Sequence, residues 1–429
     1  CRWFGGKARV IQNISVVKNA NVPMESSKGA FLILEISYNE GLNELYQLPV
    51  SFIAKEYSEF LSRNFSQGII APMKIDDQSG YLYDAVYNEA FRKSLFQIMV
   101  SKRKAKETAA ELLGGAGKEA IQLWKQTKKD VKSRVLNAEQ SNTSIIYEKD
   151  FFFKLYRKLD AALNPDLEIT RFLTEEANFP NVPQYAGALE LKSGKSENMV
   201  LGMMQSLVEN QGDAWTYMGD VVRRDFERVL IEQKDTKSIP AMRGSLVKPV
   251  SYEKIPDKIK NYLGGVATER SALLGIRTAE MHLALASDND NKDFKPEPFS
   301  LHYQRSVYSS LQSSVRGTFQ VLDKNLKKLD EQVRVEAEEV RGMRKDILKC
   351  MQQIYAHKID TMKIRTHGDY HLGQVLFTGK DFIILDFEGE PARTYSERRL
   401  KRSPLRDVAG MIRSAHYAAY NGLFRTEAF

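Results

Sequence analysis

The chain has 429 residues, 42% hydrophobic and 28% charged, with a formal net charge of +8, enough for substantial cores in two or three domains. No apolar run approaches the roughly 18 residues of a membrane-spanning helix and nothing reads as a secretory leader, so a soluble, cytoplasmic protein with no membrane partner is expected. Two cysteines, Cys1 and Cys350, exclude a disulfide framework.

Residues 1 to about 85 are strand-rich. Phe31 to Ile36 and Leu45 to Val50 flank the turn-forming Asn39-Glu40-Gly41-Leu42-Asn43, which predicts a hairpin. From 86 to about 208 a basic helical insertion precedes further strands. Arg92 to Arg134 holds twelve basic against four acidic residues and so carries the whole net charge. With Trp124 as the one tryptophan there and no recognised module, it reads as a solvated insertion, and no nucleic-acid partner is expected. Gly114-Gly115-Ala116-Gly117-Lys118 has the wrong spacing for a phosphate-binding Gly-x-x-x-x-Gly-Lys-Ser/Thr loop and reads as a turn between two helices. Phe151 to Tyr156 is a β-rich run holding Lys154, and Pro165 to Glu176 is a helical stretch.

From 209 to 429 the pattern turns helical, with Ser287 to Pro298 as a loop. Leu322, Leu326, Leu329 and Val333 recur as on one amphipathic helix, and Cys350 on a periodic helix is expected to be a buried apolar residue.

Thr366 to Gln374, followed by Asp386-Phe387-Glu388-Gly389-Glu390-Pro391, carries the chemistry. A protein-kinase catalytic loop places Asn five positions after its Asp and later supplies a second metal ligand from Asp-Phe-Gly. Here Asp369 precedes Gln374 by the same interval, and Asp386 stands where that later Asp would. Val375 to Phe377 and Phe382 to Leu385, separated by Thr378-Gly379-Lys380-Asp381, predict a hairpin that brings Gln374 and Asp386 side by side. Phosphoryl transfer needs a carboxylate to take the acceptor's proton and ligands for a divalent ion: Asp369 suits the first, Gln374 and Asp386 the second. Oxygen ligands favour Mg²⁺ or Mn²⁺; His367 and His371 would suit zinc only on a helix, which a loop containing Gly368 and Gly373 is not.

The chain resembles the maltokinases, a branch of the aminoglycoside-phosphotransferase-like kinases that transfer phosphate from ATP to the anomeric hydroxyl of maltose. The likeness rests on Arg2-Trp3-Phe4-Gly5-Gly6-Lys7, Glu139 to Ser144, Leu155-Tyr156-Arg157-Lys158-Leu159, Arg277 to His282, Asp386 to Pro391 and Arg402 to Met411. The resemblance implies an α+β, bilobal protein-kinase-like fold with an N-terminal β-rich cap (1–85), an N-lobe with the basic insertion (86–208) and a mainly helical C-lobe (209–429). It implies ATP and Mg²⁺ as cofactors, and maltose or a related sugar as acceptor. It also implies a piece of a longer polypeptide, such as the kinase end of a trehalose synthase–maltokinase fusion.

Residue by residue, it implies Asp369 as catalytic base and Gln374 and Asp386 as metal ligands, with Glu388 assisting. Lys154 would bind the α- and β-phosphates, paired with Glu168. Ser141, Asn142, Thr143 and Ser144 would form a glycine-free phosphate-covering loop, and main chain near Gln205 and Leu207 would meet adenine. Lys154 as a solvated edge lysine and Met203 and Met204 as plain core packing are the alternatives. Arg398 to Arg402 reads either as a phosphate or sugar site or as a solvated run, and Arg277, Glu280 and His282 either as sugar contacts or as a packed polar cluster. Asp407, opening a helical stretch, is expected to be its N-cap and to support the catalytic loop rather than act as a chemical group. A kinase of glucosamine, another hexose or an aminoglycoside, and a non-catalytic scaffold of a fused trehalose synthase, are the rival functions.

Overall fold

The computed structural model describes residues 3–24, 27–101, 110–128, 130–136, 141–192, 198–232, 239–240, 242, 244, 248 and 250–425. Cys1, Arg2, Glu139, Gln140 and the lysine-rich stretch 102–109 lie outside the described residues. Two compact units form: one of residues 1–285, 367–400 and 407–429, the other of 286–366 and 401–406.

The first unit opens with β1 (Ile11–Pro23), β2 (Lys28–Tyr38), β3 (Glu44–Ala54), α1 (Glu59–Asn64), β4 (Ile69–Ile75) and β5 (Gln78–Asp84). They make an antiparallel sheet ordered β1-β2-β3-β5-β4. The predicted hairpin is there: β2 and β3 pair from Gly29↔Ser51 to Ile36↔Glu44. Alternation along β2 sends Phe31 and Ile33 inward, as a sheet with one buried face requires.

A second sheet follows. After α2 (Glu89–Ser101) come β6 (Leu112–Ala116), α3 (Lys118–Gln126), β7 (Ser133–Val135), β8 (Asn142–Tyr147), β9 (Phe151–Tyr156), β10 (Lys158–Leu159), α4 (Pro165–Arg171), β11 (Tyr185–Leu191) and β12 (Met199–Ser206). The order is β6-β11-β12-β9-β8-β7, while β10 crosses to the first sheet and pairs with β3. The described parts of the segment expected to be a solvated helical insertion are instead built into the fold. Its strands β6 and β7 form the two edges of the second sheet, and Phe91, Leu95, Phe96 and Met99 of α2 are buried in a core shared with Phe31 and Ile33 of β2 and Phe153 and Leu155 of β9. Apolar spacing along α2 outweighs its two basic residues, Arg92 and Lys93, because roughly 1.5–3 kcal/mol accompanies each buried large side chain. The glycine-rich stretch is strand β6 followed by Gly117 at the N-cap of α3, not a turn between helices.

Helix α5 (Ala214–Glu232) and helix α6 (Asp257–Leu285), kinked at Gly264, continue this unit. The second unit contains β13 (Glu297–Pro298), α7 (Leu301–Asn325), α8 (Glu331–Gly342), α9 (Arg344–Gln352) and β14 (Met362–Lys363), with β13 pairing β14. The apolar recurrence read as one helix spans two: α7 ends at Asn325, a 3₁₀ turn covers Leu326–Lys328, and α8 starts after Asp330. Cys350 is exposed rather than buried, since α9 has no buried residue.

The chain returns to the first unit with β15 (Val375–Phe377), β16 (Phe382–Ile384), α10 (Tyr395–Arg398) and α11 (Leu405–Arg425). β15 and β16 form the expected hairpin, Val375↔Ile384 to Phe377↔Phe382. No described helix is long and apolar enough to cross a membrane.

Candidate active site

Lys154 sits in β9, flanked by β8 and β12, and is only 8% exposed. A buried ammonium needs partners. It has three carboxylates: Asp166 Oδ2 at 3.0 Å, Glu388 Oε1 at 2.7 Å, and Asp386. Burial works against its charge, but Asp166, Asp386 and Glu388 outweigh burial and hold its pKa well above the usual lysine range.

The N-terminus of α4 supplies Asp166. Asn164 caps the helix, its side-chain oxygen accepting from the amides of Asp166 (2.8 Å) and Leu167 (3.3 Å), and Pro165 takes the first turn. Asp166 is 1% exposed and accepts three further bonds: from Lys154, from Tyr156 Oη at 3.0 Å, and from the Phe387 amide at 2.9 Å.

At the mouth of the β15–β16 hairpin, Gln374 Nε2 donates to Asp386 Oδ2 at 2.7 Å. Asp386 has φ of +64°, a left-handed conformation uncommon outside glycine and met where surrounding contacts over-determine the backbone. Burial alone would raise its pKa; Lys154, His367 and Gln374 outweigh that and hold it below the usual carboxylate range. Glu388 goes the other way. Burial, with Asp386 and Asp166 nearby, pushes it up against the opposing charge of Lys154.

The segment carrying Asp369 is tied down from two sides. His367 Nε2 lies 2.8 Å from the carbonyl of Leu385, next to Asp386. Asp407, in α11, accepts from the amides of His367 and Gly368, both at 2.9 Å, and pairs with His282 Nε2 at 2.9 Å. Gly368 has φ of +86°, so the turn that delivers Asp369 needs glycine there.

The donor set suits a hard divalent cation. Oxygens of Asp166, Asp386 and Glu388 lie within 4.8 Å of one another, and the amide of Gln374 keeps its carbonyl oxygen while its nitrogen donates to Asp386.

Residues 1–88 match the family model of the maltokinase N-terminal cap domain. Over 303 residues the chain is 23% identical to the glucosamine kinase of Streptacidiphilus jiangxiensis, covering 68% of this chain and 56% of that protein. Over 54 residues it is 44% identical to the glucosamine kinase of Mycolicibacterium smegmatis, covering 12% and 13%. A solved glucosamine kinase in complex with glucosamine, ADP and inorganic phosphate superposes with a TM-score of 0.60 at 17% identity, over 98% of this chain and 78% of that one. A further crystal form of glucosamine kinase gives 0.60 at 16%. The chain carries a maltokinase cap on a kinase-like fold. It spans little more than half the length of the first of these relatives.

On this fold the sequence-predicted residues divide. Lys154, Asn142, Gln374, Asp386 and Glu388 come together, Asn142 Nδ2 donating to Glu388 Oε1 at 2.7 Å. Glu168 does not pair with Lys154; it binds Arg399 at 2.9 and 2.7 Å through two guanidinium nitrogens. Positions 166 and 168 are two apart, about 200° around a helix, so only one of them faces the sheet. The Asn-Pro cap is the signal that fixes the helix start and could have pointed to Asp166. Ser141 is exposed, whereas Ser144 is fully buried with its hydroxyl unpartnered and stands in register with Lys154. Thr143 is turned instead to Arg157 Nε, 2.8 Å away.

At the expected adenine-facing strand, Gln205 pairs in register with both Tyr185 and Phe152, and the Leu207 amide donates to the carbonyl of Asp150 at 2.7 Å, which leaves only its carbonyl to offer adenine. Met203 and Met204 are buried core residues. Arg277 holds Asp381 with two bonds of 2.8 Å and Glu280 at 2.7 Å, and His282 serves Asp407, so this trio is a packed polar cluster. In the basic run, Arg398 donates to the carbonyls of Glu388, Pro391 and Arg393 and Arg399 holds Glu168. Lys401 reaches Glu297 at 2.9 Å.

Proposed function

We propose that the protein transfers the γ-phosphoryl group of ATP to a sugar hydroxyl. The observation that carries this reading is the convergence of Lys154, Asp386, Glu388 and Gln374 beside the segment bearing Asp369. Asp369 takes the proton of the acceptor hydroxyl as its oxygen bonds to phosphorus and the bond to ADP breaks. Lys154 holds the non-transferred phosphates, and Asn142 lines their approach from β8. Asp386, Gln374 and Glu388 would hold Mg²⁺, which would supply positive charge against that developing on the phosphates.

The acceptor we infer is the C1 hydroxyl of maltose, supported by the cap-domain match at 1–88, and a fused or associated trehalose synthase is the partner that this acceptor calls for. Glucosamine is the second reading, favoured by relatives of that activity. ADP release measured across maltose, glucose, glucosamine and trehalose tests both. Turnover with maltose alone supports the first, turnover with glucosamine alone replaces it, and none with any sugar removes the sugar-kinase reading.

A further inference from the structure

The guanidinium of Arg157 joins the cap to the strand that faces the phosphates. Arg157 is 2% exposed. Its Nη2 binds Asp84 Oδ2 at 2.6 Å, at the end of the cap's last strand, and its Nε donates to Thr143 Oγ1 at 2.8 Å in β8. The guanidinium also lies 5.2 Å from the ring centre of Trp3, in the cap. Nη1 has no partner, so this buried cation already carries an unmet donor and depends on the bonds that it does make.

The main chain repeats the connection. The Gln47 amide of β3 donates to the Arg157 carbonyl at 2.9 Å, and Gln47 Nε2 donates to the carbonyls of Tyr156 and Leu201. One residue on, Lys158 binds Glu44 of the cap at 2.8 Å.

Register shows what this fixes. Asn142 pairs with Tyr156, Thr143 with Leu155 and Ser144 with Lys154. Residues opposite one another in an antiparallel pair share a face, and successive residues alternate. Asn142 and Ser144 therefore share the face of Lys154, where Asn142 already meets Glu388, while Thr143 between them is turned to the other face and held by Arg157.

Resting on the phosphotransferase reading above, we propose that Thr143 and Arg157 are positioning residues through which the cap sets nucleotide affinity. The Asp84–Arg157–Thr143 chain locks the height and register of β8, and with it Asn142 beside Glu388.

The test measures ADP binding by calorimetry and steady-state kinetics for Thr143→Val and Thr143→Ser. Val keeps the shape and β propensity of Thr but removes the acceptor; Ser restores it. Expected are a roughly tenfold weaker ADP Kd and higher KM for ATP in Thr143→Val, with kcat and the sugar KM within about twofold, and recovery in Thr143→Ser. If Thr143→Val does not fold, Arg157→Lys reads the same quantity, keeping a charge beside Asp84 but losing the Nε donor. Unchanged ADP affinity, or equal loss of ATP and sugar affinity with a lower Tm, overturns the proposal. Failure of the unsubstituted protein to bind ADP would instead remove the phosphotransferase reading on which it rests.

Discussion

Lys154 Nζ lies 3.0 Å from Asp166 Oδ2, and the other oxygen of Asp166 accepts from the amide of Phe387 at 2.9 Å. One carboxylate thus holds both the lysine and the residue after Asp386. Replacing Asp166 by Ala strands a buried tyrosine hydroxyl and a buried amide and leaves Lys154 with two of its three acids. At about 1–3 kcal/mol for each polar group so stranded, Asp166→Ala is expected to cost about 3–5 kcal/mol, read by urea unfolding. Glu168→Ala removes the pair with Arg399, whose side chain is 25% exposed, and is expected to cost less. Equal losses would show that Asp166 does not have this bridging role.

Asp369 accepts no load-carrying bond comparable to those of Asp166 or Asp407 among the described contacts; its amide donates to His367 Nδ1 at 3.4 Å. Asp369→Asn keeps the shape and removes the proposed base. Turnover is expected to fall by about 10²–10⁴ while ADP binding stays near normal. Parallel loss of ADP binding would mark Asp369 as structural.

Asp407 gives a pH signature. Burial opposes its charge, but His282, His367 and the Gly368 amide outweigh burial and hold its carboxyl below the usual carboxylate range. A carboxyl lowered in the folded state contributes stability that is present above its unfolded pKa, about 3.9, and is lost as pH falls through the lower folded value. The stability difference between the unsubstituted protein and Asp407→Asn is therefore expected to be level from pH 7 to 5 and to shrink below about pH 4. A difference that grows on acidification would contradict this.

Two helical glycines are expected to respond oppositely to alanine. In α11 a Cβ at Gly410 would lie 2.6 Å from the carbonyl oxygen of Tyr370, so the helix packs on the catalytic segment only because that position has no side chain. Helix propensity favours Ala by about 1 kcal/mol, and overpacking against backbone costs about 1–3 kcal/mol. Gly410→Ala is expected to lower Tm and turnover together. At Gly317 in α7 a Cβ meets nothing within 4 Å, so Gly317→Ala is expected to stabilise by up to about 1 kcal/mol.

Local signals carried the strands and the hairpins. Alternation around Phe31 and Ile33, and turn residues at Thr378 to Asp381, place β2, β3, β15 and β16 where they occur. What was not legible depended on which partner a side chain finds. Glu168 and Asp166 both occupy the first turn of α4, and only the sheet packed against that helix decides between them. Cys350 has helical spacing, but α9 buries none of its residues and leaves Cys350 exposed. The basic run near Arg398 looked free in sequence because its acceptors are carbonyls and a glutamate far away in the chain.

By itself the sequence determined the candidate residues of the proposed site and their spacing. Asp369, Gln374 and Asp386 lie within one short stretch, and a hairpin of fixed register between the last two suffices to join their side chains. Only the tertiary structure decided the rest of the site. Lys154 reaches Asp386, Asn142 reaches Glu388 and Asp166 takes the amide of Phe387, each across more than 200 residues of chain. A contact of that span is set by the packing of β8, β9 and α4 into one core, which no local pattern encodes.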